Sequence, residues 1–447
     1  MKNSHAACLL GLLLIVPFAF AAQERALTLH DCIVIAVGES PKLEASRFDI
    51  LAAAEEIRAA REMTWPKLTG TATGEMFSGE STSTFQLVNA IDSGVGLNPR
   101  NQVNLAGIGI FGARLQYPIF SDGSIFGFND APAIAAKRAQ KDALAWTAHL
   151  TREEVIDRIT QTFLATVSAR NRVPTIERRV TLLEQAGAIT REELARGLLL
   201  PIDLKVVREQ LNGARSLSKV IHQQAVAGSL ELARLLGLPS ASDVRLVSTL
   251  PEPPEPPSAV QLLGTSLNQH PLLEVQRANI DKAKQDYRLE RFRLYPSVSL
   301  TGSAHYLSDF DQNAHVYIGA ITVSVPIFDF GSQLATMRAK RAQYFAEQAR
   351  LGSVADDVTN DVVKIYEQIA ALSEYILTLQ GEIAKLDRDA RVAASEQQQG
   401  VKPLLPSIDA ELHLLAKRDD LNVLETSRLL LYAALQKATG GTWNWLP

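Results

Sequence analysis

Two stretches of the chain alternate regularly between apolar and polar positions. Along residues 68–76 the even positions hold Leu, Gly, Ala, Gly and Met, whereas the odd positions hold Thr and Glu. Along residues 297–306 the even positions are again apolar or small, and the odd positions hold Ser, Thr and His. A period of two with one apolar face predicts a β-strand, and a length of ~9–11 residues is typical of a strand that crosses an outer membrane.

A returning strand follows each of these two strands. One is predicted over about residues 316–328, with mostly apolar residues at the odd positions. The other is predicted over about residues 105–120, where the pattern changes phase near Ile110 and Phe111, which indicates a β-bulge. A long loop, about residues 78–104, joins the first pair, and a short one, about residues 308–315, joins the second. The sequence therefore predicts four strands in two hairpins.

Stretches rich in helix-forming residues surround the strands. Six helices are predicted, over about residues 27–62, 129–196, 202–236, 258–293, 332–399 and 407–438. The two that lead into strands end at an aromatic residue followed by Pro. Pro174 predicts a kink or an interruption in the first long helix. Leu182, Leu183, Ala186 and Ile189 form an apolar seam of the kind that packs helices side by side.

The same order of elements occurs twice, and residues match between the two copies. At a constant offset, Pro41, Leu43, Glu44, Arg47, Arg58 and Pro66 reappear as Pro271, Leu273, Glu274, Arg277, Arg288 and Pro296. The sequence PEPPEPP at residues 251–257 cannot form a helix or a central strand, and it reads as a linker between the copies. We therefore predict a first repeat over residues 23–250 and a second over residues 258–447.

One short motif ends each returning strand. Residues 117–124 read YPIFSDGS, and residues 325–332 read VPIFDFGS. The shared residues include Pro118, Phe120 and Gly123 in the first copy, and Pro326, Phe328 and Gly331 in the second. Pro ends a regular ladder, and Gly permits a sharp change of direction. We interpret both motifs as junctions between a barrel strand and a long helix, at the same level of the molecule.

The first residues predict export. Lys2 precedes an apolar run over residues 9–20, and Ala19 and Ala21 have the spacing of a cleavage site, so residues 1–22 are interpreted as a signal peptide. No Cys lies at the cleavage site, so no lipid anchor is predicted. Cys32 is then the one cysteine of the exported chain, and we expect it to be a packed thiol without a disulfide.

Charge and motifs argue against several other classes of protein. The formal net charge is -4 and no dense cluster of Lys and Arg occurs, so no nucleic-acid partner is expected. The 8 His are scattered and no catalytic motif is found, so we expect no metal site, no cofactor and no enzyme. The glycines of GIGIFG at residues 107–112 lie inside a strand, which favours closely approaching strands over a nucleotide site. The charge runs TREEVIDR (151–158) and KRDD (417–420) are interpreted as solvated helix faces.

Four strands cannot close a barrel. Single-chain outer-membrane barrels begin at about eight strands, and an open sheet edge in lipid leaves unpaired backbone groups that cost several kcal/mol each. If the strands cross a membrane, several chains must each contribute four strands to one barrel. The helices are far too long for a compact core, so they must then pack side by side outside the bilayer.

In this order and in duplicate, the elements resemble the TolC-like outer-membrane efflux proteins. The export signal, the two copies of helix–strand–strand–helix–helix, the Pro-Ile-Phe corners and TGGTW at residues 439–443 carry the resemblance over essentially the whole exported chain. The resemblance implies an α+β membrane fold in which a homotrimer forms a twelve-stranded barrel in the lipid of a Gram-negative outer membrane, continued by a long α-helical barrel in the periplasm. It also implies two partners, a periplasmic adaptor protein and an inner-membrane pump of the RND or ABC type.

The resemblance further assigns the turns between long and returning helices to the periplasmic tip, where the adaptor binds. The matching residues are Gly197 and Asp203 in the first turn, and Gly400, Lys402 and Asp409 in the second. Some members carry a further acidic residue where this chain has Pro406, so a ring of stacked carboxylates is not expected. Asp203 and Asp409 either contribute to gating and cation preference or simply cap the helices that follow them.

The function that follows is an outer-membrane channel of a tripartite efflux system, which conducts substrates passively from the adaptor and pump to the exterior. An outer-membrane duct for type I protein secretion is the alternative within the same fold. A non-conducting periplasmic coiled-coil scaffold is the alternative in a different class, and it explains the helices but not the four alternating strands.

Overall fold

The computed structural model describes residues 26–76, 107–127, 131–238, 244–309, 313–401 and 403–445. The predicted signal peptide, the whole of the predicted first loop (78–104) and Lys402 lie outside these residues. Eight helices and five strands form within the described ranges. The helices are α1 (Leu29–Glu39), α2 (Pro41–Glu62), α3 (Pro132–Ala195), α4 (Pro201–Leu235), α5 (Ala259–Gln269), α6 (Pro271–Phe292), α7 (Ser332–Gln398) and α8 (Leu404–Ala438). The strands are β1 (Lys67–Met76), β2 (Gly107–Ser121), β3 (Ser124–Ile125), β4 (Ser297–Asp309) and β5 (Asn313–Ser324).

The stretches predicted as single helices over residues 27–62 and 258–293 each contain two helices, so this prediction is wrong. α1 ends before Ser40 and α5 ends before His270, and both residues are extended, with ψ of 116° and 124°. Each precedes a proline that begins the next helix. A proline ring disfavours the helical conformation of the residue before it, while its fixed φ suits the first position of a helix.

Four strands form one antiparallel sheet in the order β1–β2–β4–β5. Side chains alternate between its two faces. The even-numbered residues of β1 and β4 and the odd-numbered residues of β2 and β5 share one face, which carries Leu, Ala, Gly and aromatic residues. The opposite face carries many Ser and Thr residues, together with His305. We call these the apolar face and the polar face.

The predicted bulge near Ile110 and Phe111 is wrong, because the ladder between β2 and β4 is regular there. Ile110 lies opposite Leu307 on the polar face, and both are buried, with 6% and 7% of their surface exposed. This apolar pair on the polar face produces the change of phase in the sequence. The register shifts instead between Pro118 and Phe120, at a proline, which cannot donate a ladder hydrogen bond.

Gly112 shows why a glycine is needed within β2. It lies opposite His305 on the polar face, and a Cβ atom at Gly112 would overlap the imidazole ring. The space that a side chain at position 112 would need is therefore occupied by His305. The glycine serves close packing within the sheet, in agreement with the interpretation of the GIGIFG sequence.

A hydrophobic core joins the first helix to both long helices. Cys32 of α1, Phe163 of α3, Val362 of α7 and Leu435 of α8 each expose at most 1% of their surface. Burial, with a smaller contribution from Asp31, raises the pKa of the Cys32 thiol to about 12. Cys32 is a free cysteine, so the prediction of a packed thiol is confirmed.

Two helical hairpins extend from the sheet. α3 packs against α4, α7 packs against α8, and α3 also packs against α8. With 64 and 67 residues, α3 and α7 each reach ~100 Å at a rise of ~1.5 Å per residue. Pro174 does not interrupt α3, so the predicted interruption is absent; Ile176 and Leu183, which follow it, are buried and hold the helix in place. No helix within the described ranges combines the length and the apolar character needed to cross a membrane.

His270 links the beginning of α6 to the end of α8. Only 4% of its surface is exposed, and its Nδ1 accepts a hydrogen bond from the Leu272 N–H over 3.1 Å. Burial lowers the pKa of the imidazole, although a hydrogen bond to the backbone of Ala438 acts in the opposite direction. The neutral ring is therefore the form that this site accommodates.

We predict that His270 makes the fold less stable as the pH falls. Because its pKa is lowered in the folded state, the unfolded chain binds the proton more readily below ~6.5, the usual pKa of histidine, and the stability present above that pH is lost. The melting temperature between about pH 7.5 and about pH 5 should fall more steeply in the wild type than in His270→Asn, whose amide caps a helix without titrating. Parallel pH profiles of the two proteins would contradict this role.

Candidate functional site

The turn after α3 is a Schellman motif built on Gly197. The Gly197 N–H donates to the Leu194 carbonyl over 3.0 Å, and the Leu198 N–H donates to the Glu193 carbonyl over 3.0 Å. Gly197 has a φ of +73°, a conformation that costs other residues roughly 1–2 kcal/mol. α4 begins at Pro201, so the chain reverses direction within a few residues.

The turn after α7 has the same geometry. Gly400 also has a φ of +73°, and its N–H donates to the Gln397 carbonyl over 3.0 Å. The Val401 N–H donates to the Glu396 carbonyl over 2.9 Å. The two glycines singled out in the sequence therefore end two long helices in the same way.

The two carboxylates assigned to these turns are not equivalent. The Asp203 carboxylate accepts a hydrogen bond from the Leu200 N–H over 2.9 Å, at the beginning of α4. Asp409 lies beyond the first turn of α8 and is exposed. The capping interpretation therefore fits Asp203 and is wrong for Asp409. Among the residues that the structure describes, no group of three or more His, Cys, Asp or Glu is arranged to hold a metal ion.

An apolar cluster packs the beginning of α8 against α3 near the two turns. Leu182 and Ala186 of α3 are 2% and 3% exposed, and Ile408 of α8 is 3% exposed in contact with them. The predicted seam is thus confirmed: Leu182, Leu183 and Ala186 are buried, and Ile189 is partly buried and packs against the cluster. Ile408 is buried and its neighbour Asp409 is exposed. The packing of Ile408 against α3 therefore holds the Asp409 carboxylate on the outer side of α8.

A ladder of polar contacts continues this packing away from the turns. The Arg178 guanidinium donates to both carboxylate oxygens of Glu411, over 2.7 and 3.0 Å. The Arg172 guanidinium donates to both oxygens of Asp419, over 2.7 and 2.9 Å. These hydrogen bonds raise the pKa of each arginine. The Arg172 pair joins side chains that are each only 19% exposed, so it is the more shielded link between the two hairpins.

The charge runs interpreted as solvated helix faces are exposed at Glu154, Arg158 and Arg418, at 56%, 60% and 50%, as expected. They also pair with other helices, and Asp157 and Asp419 are shielded, at 9% and 19%. In KRDD, Lys417 pairs with Glu382 over 3.2 Å, Arg418 pairs with Asp387 over 2.8 Å, and Asp419 pairs with Arg172. In TREEVIDR, Glu154 pairs with Lys42, Asp157 with Lys437, and Arg158 with Glu231. Arg172 and Asp419 are 247 positions apart in the sequence, so the local sequence around either residue does not predict their ion pair.

The first strand-to-helix corner contains a tight hairpin. β3 pairs with the end of β2, with Phe120 opposite Ile125. Asp122 and Gly123 join them with φ values of +53° and +84°, and both residues of a type I′ turn need positive φ. The Phe292 ring of α6 leaves no room for a Cβ atom at Gly123. No strand was predicted at β3, although Asp-Gly is the usual signal for such a turn.

The second corner is capped by a carboxylate and contains no strand. β5 ends at Ser324, so the predicted end of this strand at residue 328 is wrong. Gly331, with a φ of +81°, directly precedes α7. The Asp329 carboxylate accepts hydrogen bonds from the N–H groups of Gly331 and Gln333, over 3.0 and 2.6 Å. A negative charge at the beginning of a helix also complements the helix dipole.

The two corners lie at different levels along the sheet. Pro118 pairs with Ser299, which pairs with Thr322. Pro326 comes four positions after Thr322, on the helix side of this row. The two corners therefore differ in register, because β2 continues past its proline to pair with β3, whereas β5 ends before its proline; their equal height at a membrane stays a prediction.

Apolar residues are exposed at both corners and far more so at the second: at the first corner, Ile125 and Phe126 expose 48% and 43% of their surface. Phe120 is half-buried, whereas Ile327, Phe328 and Phe330 expose 92%, 77% and 91% of their surface. The ring centroids of Phe328 and Phe330 lie 4.7 Å apart. We call these three exposed residues the corner cluster. Exposed apolar groups that lie together mark a surface that contacts another molecule.

The sheet has two open edges in a single chain. Within the described ranges, β1 pairs only with β2, and β5 pairs only with β4. Large residues on the apolar face are exposed, including Leu68 at 73% and Ile321 at 69%. An edge strand offers unpaired N–H and C=O groups to a further strand. The sheet is therefore suited to lateral extension by another chain.

Residues 262–441 match a family model described as Outer membrane efflux protein. The chain is 25% identical over 223 residues to the cobalt-zinc-cadmium resistance protein CzcC of Cupriavidus metallidurans, covering 48% of this chain and 50% of that protein. It is 23% identical over 271 residues to the cation efflux system protein CusC of Escherichia coli O6:H1, covering 59% of this chain and 56% of that protein. The chain spans about half the length of the curated relatives it matches.

The fold is similar to that of a solved channel over most of its length. The crystal structure of the Campylobacter jejuni CmeC outer membrane channel superposes with a TM-score of 0.75. It covers 93% of this chain and 86% of that chain at 16% sequence identity. At this level of identity the similarity concerns the fold.

We predict that Asp419→Ala lowers the free energy of unfolding by about 1–3 kcal/mol, because it leaves a partly buried Arg172 without its partner. A double-mutant cycle with Arg172→Ala should give a coupling energy above ~1 kcal/mol. The matched control is the Arg215–Glu184 pair within the first hairpin, whose side chains are 53% and 48% exposed and whose coupling should stay below ~1 kcal/mol. Equal coupling in both cycles would contradict a special link between the hairpins.

Proposed function

Since the family model, the curated relatives and the channel fold support an outer membrane efflux protein family for this chain, we propose that it is the outer-membrane exit duct of a tripartite efflux system. Three copies enclose a water-filled passage, and substrates move through it passively. The energy for transport comes from an inner-membrane pump, which a periplasmic adaptor connects to the duct.

The open four-stranded sheet is the observation that supports this proposal most strongly. Its apolar face suits lipid, and its edges at β1 and β5 require partners there, because unpaired backbone groups in a bilayer cost several kcal/mol each. β5 of one copy can satisfy β1 of the next. Three copies then close a barrel of twelve strands, in which the polar face lines the lumen.

The corner cluster supports the same assembly. Ile327, Phe328 and Phe330 are almost fully exposed in one chain, next to the edge strand β5. In a closed barrel this edge faces the neighbouring copy. Burial of the cluster against that copy would remove about 25 cal/mol of unfavourable hydration per Å² of apolar surface.

The turns at Gly197 and Gly400 are proposed as the periplasmic tip that contacts the adaptor. Leu198, Leu200 and Val401 next to these turns expose 69%, 65% and 68% of their surface. Exposed apolar side chains at the end of a long hairpin suit a protein partner better than open solvent. The inner-membrane pump, of the RND or ABC type, then connects through the adaptor.

The substrate class is proposed from the relatives alone. CzcC is named for cobalt, zinc and cadmium resistance, and CusC for cation efflux. Metal cations are therefore the first substrates to test with this chain. A duct for protein secretion is the alternative that the same architecture serves, and transport assays with each pump class distinguish them.

We predict that the protein purified from outer membranes migrates as a trimer before heating and as a monomer after heating. Because the polar lumen is filled with water, the same preparation should give stable single-channel conductance in planar bilayers. Trimers that never conduct would favour a periplasmic scaffold. Monomers that remain in the soluble fraction would contradict the proposed function.

The tip carboxylates provide a second test. We predict that Asp409→Ala reduces the preference of the channel for cations without lowering its stability, because Asp409 is exposed and caps no helix. Asp203→Ala is the matched variant at the same tip, and it should also cost about 0.5–2 kcal/mol of stability, because it removes a capping contact. Reversal potentials and melting temperatures measure the two effects. Wild-type ion selectivity in both variants would rule out a role for these carboxylates in conduction.

A further inference from the structure

The two hairpins of the sheet have the same register. Lys67 pairs with Gln116 in the first hairpin, and Ser297 pairs with Ser324 in the second. Equivalent positions are therefore 230 residues apart on the first strand of each hairpin and 208 residues apart on the second. With these two offsets, every pair of β1 with β2 has a counterpart in β4 with β5. The offsets thus identify equivalent residues in the two repeats.

Equivalent residues also share a backbone conformation at the two corners. Asp122 and Gly123 have φ values of +53° and +84°, and their equivalents Phe330 and Gly331 have values of +56° and +81°. A positive φ is unfavourable for a bulky side chain. Phe330 nevertheless adopts it, with 91% of its surface exposed. The contacts of the first corner are therefore a template for the contacts that the second corner can make.

The turn after α6 covers the first corner. We call residues 292–298 the α6 turn. The ring of Phe292 occupies the space that a Cβ atom at Gly123 would need. The Arg293 Nε lies 3.6 Å from the Asp122 Oδ1, and both side chains are 48% exposed. A corner of the first repeat is thus covered by a turn of the second repeat.

The turn after α2 is equivalent to the α6 turn, and one chain leaves it open. We call residues 62–68 the α2 turn. Met63 has φ and ψ of −63° and −21°, and its equivalent Arg293 has −63° and −15°. Met63, Trp65 and Leu68 expose 64%, 62% and 73% of their surface. Within the described residues, α6 packs against both α3 and α7, whereas α2 packs mainly against α3. The α2 turn therefore has room for a corner that its own chain does not supply.

One pair of equivalent positions changes its chemistry at both members. Asp122 and Arg293, which carry opposite charges, correspond to Phe330 and Met63, which are both apolar. A change at one position alone would place a charge against an apolar side chain. The thioether of a methionine packs favourably against an aromatic ring. The second corner is therefore complementary to the α2 turn.

A second pair of equivalent positions is apolar in both cases. Phe120 pairs with Val298 at the first corner. Their equivalents are Phe328 and Leu68, which expose 77% and 73% of their surface in one chain. Contact between them would remove both apolar surfaces from water.

We propose that the α2 turn of the neighbouring copy covers the corner cluster, in the way that the α6 turn covers the first corner. Phe330 packs against Met63 of that copy, and Phe328 packs against its Leu68. This inference rests on the proposed function, because it requires copies of the chain that meet at β1 and β5. It goes beyond that function by naming the surface that covers the corner cluster, which extends the contact between copies from the sheet to the helices.

Chemical cross-linking tests this contact in the assembly extracted from the outer membrane. Phe330→Cys is combined with Met63→Cys, and a short bismaleimide joins neighbouring thiols; Cys32 is fully buried and should not react. We expect covalent dimers and trimers. Phe330→Cys with Phe48→Cys is the matched control, because Phe48 is 62% exposed but lies fifteen positions before Met63, ~22 Å along α2. Equal yields of linked chains from both combinations would overturn the contact.

The first corner provides a positive control for the reagent. Asp122→Cys with Arg293→Cys places two thiols at the contact seen within one chain. The bismaleimide should join them without linking chains, and the product should differ from the unlinked monomer in its mobility after heating.

An exchange of chemistry tests the same contact without a reagent. Phe330→Asp and Met63→Arg together restore the ion pair of the first corner. Each single variant should make the trimer dissociate about tenfold faster on heating, because it buries an unpaired charge, and the double variant should dissociate at nearly the rate of the wild type. Phe330→Asp with Met63→Glu is the matched control and should remain fast. Equal rates in the two double variants would overturn a direct contact.

The outcomes separate this contact from the proposed function. Heat-modifiable, conducting trimers that give no link between Met63 and Phe330 of different chains would overturn the contact alone. Absence of such trimers and of conductance in the wild type would overturn the proposed function, and the contact with it.

Discussion

Every backbone N–H and C=O group inside a bilayer needs a hydrogen-bond partner, and this sheet leaves two rows of such groups open. They lie along β1 and β5, at opposite edges of an otherwise regular antiparallel ladder. The requirement for partners accounts for several features together. In the proposed barrel, the apolar face lies in lipid, copies of the chain pair along these edges, and apolar residues such as Phe328, which one chain leaves exposed, are covered.

The helices connect this sheet to the distant turns through contacts of different kinds. At the sheet, the Asp329 carboxylate fixes the beginning of α7. Further along, α8 is held against α3 by the Arg172–Asp419 pair, and near the turns by the buried Leu182 and Ile408. Because α8 belongs to the second hairpin and α3 to the first, these contacts hold the two hairpins side by side.

Local sequence patterns predicted most of the helices and strands. Contacts between residues far apart in the sequence could not be predicted from such patterns. Alternation identified β1 and β4, and Gly197 and Gly400 marked two turns, because these signals depend on a few neighbouring residues. Two errors had local causes that were readable: Pro41 breaks a helix, and Asp122-Gly123 forms a hairpin. The ion pair of Arg172 with Asp419 could not be predicted from the sequence, because it forms only when two helices far apart in the sequence pack together. Asp203 and Asp409 looked equivalent for a local reason: the last helix was predicted from about residue 407 but begins at Leu404, which places Asp409 beyond its first turn.

Disulfide cross-linking between the two sheet edges tests the central claim most directly. A cysteine at Thr71 on β1 is combined in turn with one at Val316, Ile318, Ala320 or Thr322 on β5, all on the polar face. Within one chain these edges are ~14 Å apart, about three strand spacings, and a disulfide needs Cα atoms within ~7 Å. The account predicts covalently linked trimers for one or two adjacent positions on β5. Absence of any cross-link between chains, in protein extracted from the outer membrane, would contradict a barrel shared between copies.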